Sequence, residues 1–343
     1  MKTFDWAVVG AGPAGIAAVG KLISKGIQAK DIAWVDPAFK VGDLGQKWRG
    51  VSSNTSVKLF LKFLEVCEAF NFSQAPHFRL SELNHESTCL LKEIADPLQW
   101  VTDQLHLQVN PFQTEVNSLE MEDRLWVLKT EEETLAAKNV VLATGADPRK
   151  LNYPNLKEIP LEQALDASKI PDVTGETVAI FGSSHSAIIA VKNLLESSAK
   201  KVINFYRSPL KFAVFFEDWI LFDNTGLKGQ TAEWARQCIN GKCPKHLNRV
   251  LFSDPDFSKY LAQCQSVVYA VGFDKRVPPK AHQIGELTHN QSNGIIAPGL
   301  FGLGIGFPQR IEDRFGNVEY NVGLWKFMTY LDAILPLWMK YPL

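Results

Sequence analysis

The sequence has few cysteines and no long apolar run. Only five of its 343 residues are cysteine, a sparse and odd-numbered set that does not suit a disulfide framework. We therefore expect reduced thiols in a reducing compartment, with the cytoplasm as the default location. No stretch of 18 or more apolar residues occurs, so no membrane-spanning helix is expected. Asp5 interrupts the first apolar stretch too early for a signal peptide.

An excess of charge of one sign is also missing, and so is a metal-binding pattern. The 36 basic and 37 acidic side chains nearly cancel, which removes a global electrostatic reason to expect nucleic acid as a partner. We predict no metal site, because metal-ligand spacing is missing among His77, His85, His106, His246, His282 and His289. A chain of this length can bury a large core and typically forms about two domains.

A glycine-rich loop near the N-terminus lies in the order of elements that binds dinucleotides. An apolar strand at residues 4–9 precedes the loop, a helical pattern follows it, and a second strand at residues 32–35 ends in Asp36. The glycines permit a tight turn and the approach of a pyrophosphate, and the helix N-terminus supplies N–H donors. An acid about 20 residues after the loop accepts hydrogen bonds from ribose hydroxyls. The loop residues predicted to bind the dinucleotide are Gly10, Gly12, Pro13, Ala14 and Gly15.

The same order of elements recurs later in a degenerate form. A strand at residues 178–181 precedes a loop in which serine and alanine replace two of the three glycines, and the next strand, at residues 202–206, ends in Arg207. An arginine at this position suits the 2′-phosphate of NADPH, whereas an acid would suit NAD. The alternative is an ordinary surface arginine at a strand end. The residues predicted to bind NADPH are Gly182, Ser183, Ser184, His185, Arg207 and Ser208.

The two copies predict two Rossmann-like domains in one α/β fold. Alternating strands and helices imply parallel sheets with right-handed crossovers. A β-rich stretch at residues 105–141 and a linker at residues 146–173 separate the copies, and a glycine-rich run follows at residues 299–306. We therefore predict that an NADPH domain, residues 151–265, is inserted into a first domain formed by residues 1–150 and 266–343.

Together, the first glycine loop, a strand ending in Ala143-Thr144-Gly145 and the inserted second loop resemble the flavoproteins with two dinucleotide-binding domains. This superfamily includes the flavin-containing monooxygenases, thioredoxin reductase and the glutathione reductase group, and the resemblance covers nearly the whole chain. It implies FAD at the first loop and NADPH at the second, with a hydride passed from nicotinamide to flavin. The reduced flavin is then expected to reduce oxygen, as in a monooxygenase, or a small-molecule acceptor.

Further residues match positions that lie beside the cofactors in the flavin-containing monooxygenases. The resemblance places Trp48, Asn54 and Thr55 beside the isoalloxazine and the nicotinamide, and Val116 at the adenine. One departure is that residues 146–173 lack the monooxygenase signature F-x-G-x-x-x-H-x-x-x-(Y/F). This departure makes oxygen transfer an open question, whereas the expectation of flavin reduction is unaffected. The remaining FAD contacts that the resemblance implies are Thr144, Gly145, Gly304 and Gly306.

No single residue is assigned as catalytic from the sequence. His185 opens the second helix, where it is either an acid–base group or, more commonly, a residue that contacts phosphate. Asn54 and Gln309 are candidates because they lie near the flavin in the matched pattern. Aromatic residues at 212–222 line either an apolar substrate pocket or an ordinary contact between domains.

Three alternative functions stay open. Cys238 and Cys243 have the C-x4-C spacing of a redox disulfide, but not at the position where the glutathione reductase group carries it. A non-catalytic FAD-binding sensor would explain the degenerate second loop. An electron-transfer protein could dock on a membrane surface or a second subunit, as in a homodimer, through the aromatic C-terminal segment around Trp325 and Trp338.

Overall fold

The computed structural model describes residues 2–342. Its strands are β1 (Lys2–Val9), β2 (Ile32–Val35), β3 (Ser52–Ser56), β4 (Thr88–Leu90), β5 (Asn110–Phe112), β6 (Ser118–Glu122), β7 (Leu125–Lys129), β8 (Thr134–Leu142), β9 (Ala146–Pro148), β10 (Lys157–Glu158), β11 (Thr177–Phe181), β12 (Lys201–Tyr206), β13 (Val214–Phe215), β14 (Ile220–Leu221), β15 (Leu247–Leu251), β16 (Ser266–Tyr269), β17 (Phe273–Lys275), β18 (Ile295–Ala297), β19 (Leu300–Gly302), β20 (Gln309–Glu312) and β21 (Val318–Asn321).

The α-helices are α1 (Pro13–Ser24), α2 (Gly42–Gln46), α3 (Val57–Glu65), α4 (Lys92–His106), α5 (Leu161–Ala164), α6 (His185–Leu195), α7 (Gly229–Cys238), α8 (Phe257–Leu261) and α9 (Leu324–Trp338). Short 3₁₀ turns lie at Ala29–Asp31, Glu68–Phe70, Phe72–Gln74, Arg79–Glu82 and Ala167–Lys169. None of the helices within residues 2–342 is long and apolar enough to cross a bilayer.

The first sheet has the strand order β18-β19-β8-β1-β2-β5, and the β6–β7 hairpin extends from β8. Strands β19, β8, β1, β2 and β5 run parallel, as the repeated strand–helix order predicts. Their inner segments are buried on both faces, which explains why they are continuous apolar runs without alternation. Helices α1, α3, α4 and α9 pack on one face, in a core that includes Trp34, Phe63 and Trp338.

The second sheet has the order β10-β16-β11-β12-β15, and all of its strands run parallel. Helices α5 and α6 bury one face of it, against Val178, Ile180 and Val202. The other face holds a stack of aromatic rings around Phe181. The predicted α/β fold with two parallel sheets is therefore confirmed.

The sequence predicts that the chain returns to the first domain at residue 266, and this boundary lies too early. Strand β16 pairs with β11 in the second sheet, because the apolar residues Val267 and Val268 are buried between the two faces of that sheet. The chain leaves the first sheet through β9 and returns through β17, and these two strands pair antiparallel. We call residues 149–272 the inserted lobe and the remaining described residues the host lobe.

The C-terminal helix α9 lies in the core of the host lobe. Its residues Phe327, Leu331 and Trp338 are buried, and the helix packs against α1 and α3. The apolar pattern that suggested a membrane surface or a second subunit is therefore explained by internal packing. An ion pair at 2.7 Å between Lys21 of α1 and Asp332 of α9 joins the two helices.

The Lys21–Asp332 pair generates a prediction about stability. The Lys21 side chain is 8% exposed and that of Asp332 is 45% exposed, so Asp332→Asn leaves a buried ammonium without its counter-charge. We expect the free energy of unfolding, measured in urea, to fall by about 1–3 kcal/mol, below the full cost for a completely buried pair. The double variant Lys21→Met, Asp332→Asn removes both charges and should recover most of the loss. A double variant that is less stable than Asp332→Asn would contradict this account.

Candidate cofactor site

A cavity of about 600 Å³ lies between the two lobes. The loop after β1 and the N-terminus of α6 in the inserted lobe both contribute to its wall, so the two dinucleotide-type loops face one space. This is the edge at which open α/β sheets bind ligands, beyond the carboxyl ends of the strands. The predicted residues that line the cavity are Gly10, Gly12, Pro13, Ala14, Asp36, Trp48, Asn54, Val116, Thr144, Gly145, Ser184, His185 and Gly304.

The three glycines of the first loop serve different purposes. Gly10 has φ +111°, and a Cβ there would lie 2.3 Å from the Ala143 carbonyl oxygen. A Cβ on Gly15 would lie 1.9 Å from the Gly10 carbonyl oxygen, so this glycine lets α1 pack closely on β1. Gly12 has extended backbone that any residue adopts (φ −77°, ψ 179°), and its nearest neighbour is the Gly42 Cα at 4.0 Å. No protein atom occupies the space that a Gly12 side chain would fill, and that space is therefore free for a ligand.

The Asp36 carboxylate organises the loops on both sides of it. It accepts hydrogen bonds from the backbone N–H of Ala11 at 2.7 Å, of Ala38 at 2.8 Å and of Phe39 at 2.7 Å. A carboxylate offers about four acceptor positions, so one position remains for a further donor. Asp36 is buried but lines the cavity, and this geometry fits one ribose hydroxyl.

Arg276 is a part of the site that the sequence analysis missed. Its Nη2 donates to Asp43 at 2.8 Å and to Asp147 at 2.6 Å, and its backbone N–H donates to the Gly145 carbonyl. The hydrogen bond from Arg276 lowers the pKa of the Asp147 carboxyl. The arginine lines the cavity, and its two carboxylate partners join α2, which carries Asp43, to β9, which carries Asp147. Its only sequence signal is a position shortly after a strand that ends in glycine.

Two polar atoms beside the cavity lack partners among residues 2–342. The Thr144 Oγ1 and the His185 Nδ1 are shielded from solvent and have no hydrogen-bond partner. Because the neighbouring cavity is open and both atoms are still shielded, neither atom faces the cavity. The open space at Gly12 and the free acceptor position of Asp36 are the features that fit a bound dinucleotide.

The second loop begins with a glycine that the backbone requires. Gly182 has φ +131°, and a Cβ there would lie 2.2 Å from the Ala270 carbonyl oxygen. Asn204 holds this turn by donating to the carbonyl oxygens of Ile180 and Gly182. Arg207 and Ser208 are exposed beyond the end of β12 and lie outside the lining of the cavity.

Several predicted site residues do not line the cavity: Gly15, Thr55, Gly182, Ser183, Gly306 and Gln309. Gly306 serves packing, since a Cβ there would lie 2.5 Å from the Gly145 carbonyl oxygen. Gln309 accepts a hydrogen bond from Asn321 within the β20–β21 hairpin. Cys238 and Cys243, at the end of α7 and in the loop after it, are free thiols outside the lining.

A polar contact between the lobes, also missed from the sequence, closes one side of the cavity. The buried Glu319 carboxylate of β21 accepts from the backbone N–H of Asn224 and of Thr225 in the inserted lobe. Burial alone would raise the pKa of the nearby Asp223, but the ammonium groups of Lys326 and Lys228 together lower it. Asn224 itself lines the cavity. The side of the cavity that Asn224 lines therefore depends on its contact with Glu319, which lies almost a hundred positions away in the sequence.

Comparison with known proteins identifies the family. The sequence pattern of the family described as Pyridine nucleotide-disulphide oxidoreductase matches residues 7–213, more than half of the chain. The chain belongs to this family. The predicted resemblance to two-domain oxidoreductases of this kind is thus confirmed. A curated relative, the monooxygenase AgnR1 of Paecilomyces divaricatus, is 31% identical over 381 residues and covers 97% of both chains.

Several solved oxidoreductase structures have the same fold as this chain, although their sequences are only distantly similar to it. A flavin monooxygenase from Stenotrophomonas maltophilia has a TM-score of 0.64 at 13% identity, over 99% of both chains. The bacillithiol disulfide reductase of Staphylococcus aureus has a TM-score of 0.61 at 12% identity, over 98% of this chain and 99% of its own. An FAD-bound form of OTEMO has a TM-score of 0.61 at 13% identity, over 98% of both chains. The shared fold thus covers 98–99% of the chain.

Gly12 and Gly15 generate a paired prediction. Gly15→Ala forces a Cβ onto the Gly10 carbonyl, and we expect it to lower the free energy of unfolding by about 1–3 kcal/mol, as overpacking does. Gly12→Ala has room in the protein, so we expect little change in stability but a loss of the FAD that the sequence implies. Thermal unfolding of the apoprotein and the FAD retained after purification measure the two effects. A Gly12→Ala protein that retains FAD as the wild type does would refute the placement of the pyrophosphate.

Proposed function

We propose that this oxidoreductase binds FAD along the host lobe and NADPH against the inserted lobe, and uses them to oxygenate a small-molecule substrate. The observation that carries the proposal is that both dinucleotide-type loops line one cavity. Two nucleotides bound at these loops would meet between the lobes. The net reaction would consume NADPH, a proton, oxygen and the substrate, and would yield NADP⁺, water and the oxygenated product.

The residues of the host lobe suit FAD. The N-terminus of α1 and the space beside Gly12 suit the pyrophosphate, and Asp36 has an acceptor position for ribose. Glu115 and Val116, in the loop after β5, line the part of the cavity that we assign to the adenine. Trp48, Asn54 and Thr144 line the wall that we assign to the flavin ring.

The residues of the inserted lobe suit NADPH. Gly182 shapes the turn before α6, and the helix N-terminus provides N–H donors for the phosphates. We assign the 2′-phosphate to Arg207 and Ser208, which are exposed just after β12.

FAD, when bound, supplies a ring that accepts a hydride from reduced nicotinamide and passes electrons on to oxygen. The protein itself orients and shields the reacting groups. The pairing of Arg276 with Asp43 and Asp147 holds β9, which begins two residues after Thr144, against α2. The contact of Asn224 and Thr225 with Glu319 keeps the inserted lobe over the cavity, which limits the access of water.

Oxygenation is preferred over disulfide reduction for two reasons. The relative that matches 97% of the chain is a monooxygenase, and neither Cys238 nor Cys243 lines the cavity. A redox disulfide must reach the flavin to exchange electrons with it. We further propose that the protein works in the cytoplasm, where its five free thiols would stay reduced.

Anaerobic titration with NADPH tests the proposal. We expect NADPH to bleach the visible band of the bound flavin, and oxygen to restore it. Oxygen uptake is then compared with the peroxide formed in the absence of substrate, since an oxygenase without substrate releases peroxide. If NADPH leaves the flavin oxidised, the reductase function is wrong and the sensor hypothesis gains support.

Arg207 generates a prediction about nucleotide choice. We expect Arg207→Ala to raise the KM for NADPH about tenfold or more and to leave that for NADH nearly unchanged, since only NADPH offers a phosphate to the guanidinium. Lys201→Ala is the matched control, because it removes one positive charge at the opposite end of the same strand, β12. An equal ratio of the two KM values in wild type and Arg207→Ala would exclude Arg207 from the 2′-phosphate site.

A further inference from the structure

Asn224 brings an amide side chain of the inserted lobe to the cavity beside α9. It lies in the loop after β14, is partly exposed and lines the cavity. Its backbone N–H donates to the Glu319 carboxylate at 3.1 Å, and its side-chain oxygen accepts from the Lys326 ammonium at 2.6 Å. The host lobe therefore holds both the backbone and the side chain of this residue.

The contacts of the Asn224 side chain fix the orientation of its amide. An ammonium group only donates hydrogen bonds, so the atom that faces Lys326 is the oxygen Oδ1, and the other atom is the nitrogen Nδ2. Nδ2 donates one hydrogen to the Asn321 Oδ1 at 3.2 Å. An amide nitrogen carries two hydrogens, and the second has no acceptor among residues 2–342. This second N–H is available to a ligand in the cavity.

The ammonium of Lys326 is kept in place by a carboxylate of the inserted lobe. It pairs with Asp223 at 2.7 Å, and the two side chains are only 23% and 24% exposed. Asp223 also pairs with Lys228. Partly buried pairs are screened much less than surface pairs, so the lysine stays beside Asn224 instead of extending into solvent.

The start of α9 lies beside the half of the cavity that we assign to the flavin. Leu324 and Phe327 line the cavity and share one core with Ala14, in the first turn of α1, where we assign the pyrophosphate. Val116, which we assign to the adenine, belongs to the core on the opposite face of the first sheet. The pyrophosphate joins the two ends of FAD, so the end on the side of α9 is the flavin.

We propose that Asn224 donates its free amide N–H to a carbonyl oxygen of the flavin ring, and that Lys326 is the positioning residue that holds the amide in this orientation. The assignment rests on the proposed binding of FAD. When flavin takes up two electrons and one proton, it keeps one negative charge, which its pyrimidine ring with the two carbonyl oxygens carries. A hydrogen bond to a charged acceptor is stronger than one to a neutral acceptor. Asn224 therefore stabilises reduced FAD more than oxidised FAD.

The midpoint potential of the bound flavin tests this assignment, measured by stepwise reduction of the FAD-loaded protein beside a reference dye. Asn224→Leu removes the donor, and we expect the affinity for reduced FAD to fall about tenfold more than that for oxidised FAD. For a two-electron couple this lowers the potential by about 30 mV. Asn224→Asp keeps the size of the side chain and the bond from Lys326, but it has no N–H and adds a negative charge, so we expect a larger fall.

Asn240→Leu is the matched control, because it removes the same amide from an exposed position of the same lobe outside the lining of the cavity. It should keep the wild-type potential. An unchanged or higher potential in both Asn224 variants, with FAD still bound, would overturn the assignment of Asn224. A wild-type protein that binds no FAD would overturn the proposed function itself, and this assignment with it.

A double variant tests the role of Lys326. Lys326→Met leaves Asp223 paired with Lys228 but releases the amide, so we expect the potential to fall. If Lys326 acts through Asn224, the double variant Asn224→Leu, Lys326→Met has the same potential as Asn224→Leu alone. Additive falls would mean that the lysine acts by its own charge, and its positioning role would then be wrong.

Discussion

Three backbone N–H groups converge on a single buried carboxylate, that of Asp36. One of them belongs to the glycine loop after β1, and the other two belong to the turn after β2. The carboxylate therefore sets the distance between two neighbouring strand ends before any ligand is present. The shape of the nucleotide-binding edge follows from this hydrogen bonding, and the glycines around it allow the backbone to come close enough.

The second constraint is that the site belongs to neither lobe alone. The host lobe supplies the open space at Gly12 and the acceptor position of Asp36, and the inserted lobe supplies the N-terminus of α6 with His185. Arg276 and Glu319 then hold the two walls through charges that are paired or hydrogen-bonded. A site built in this way depends on the contacts between the two lobes.

The sequence predicts the parts of this structure that depend on neighbouring residues. The two glycine-type loops, the parallel strands beside them and the acid at Asp36 follow from local patterns of glycine and apolar residues. Arg276, Asn224 and Glu319 were missed because their partners lie about a hundred or more positions away in the sequence. The boundary at residue 266 was misplaced because an apolar strand that ends in glycine has the same local pattern in either sheet, and only the pairing of β16 with β11 decides between them.

The pairing of β9 with β17 brings the entrance and the exit of the inserted lobe side by side, with Pro148 opposite Phe273. A segment whose two ends are neighbours can be exchanged as a cassette, since the host sheet needs only two adjacent attachment points. Such an architecture allows nucleotide preference and substrate access to diverge in one unit while the other keeps its cofactor. The same two strands are the natural graft points for a chimaera that combines this host lobe with the inserted lobe of a relative.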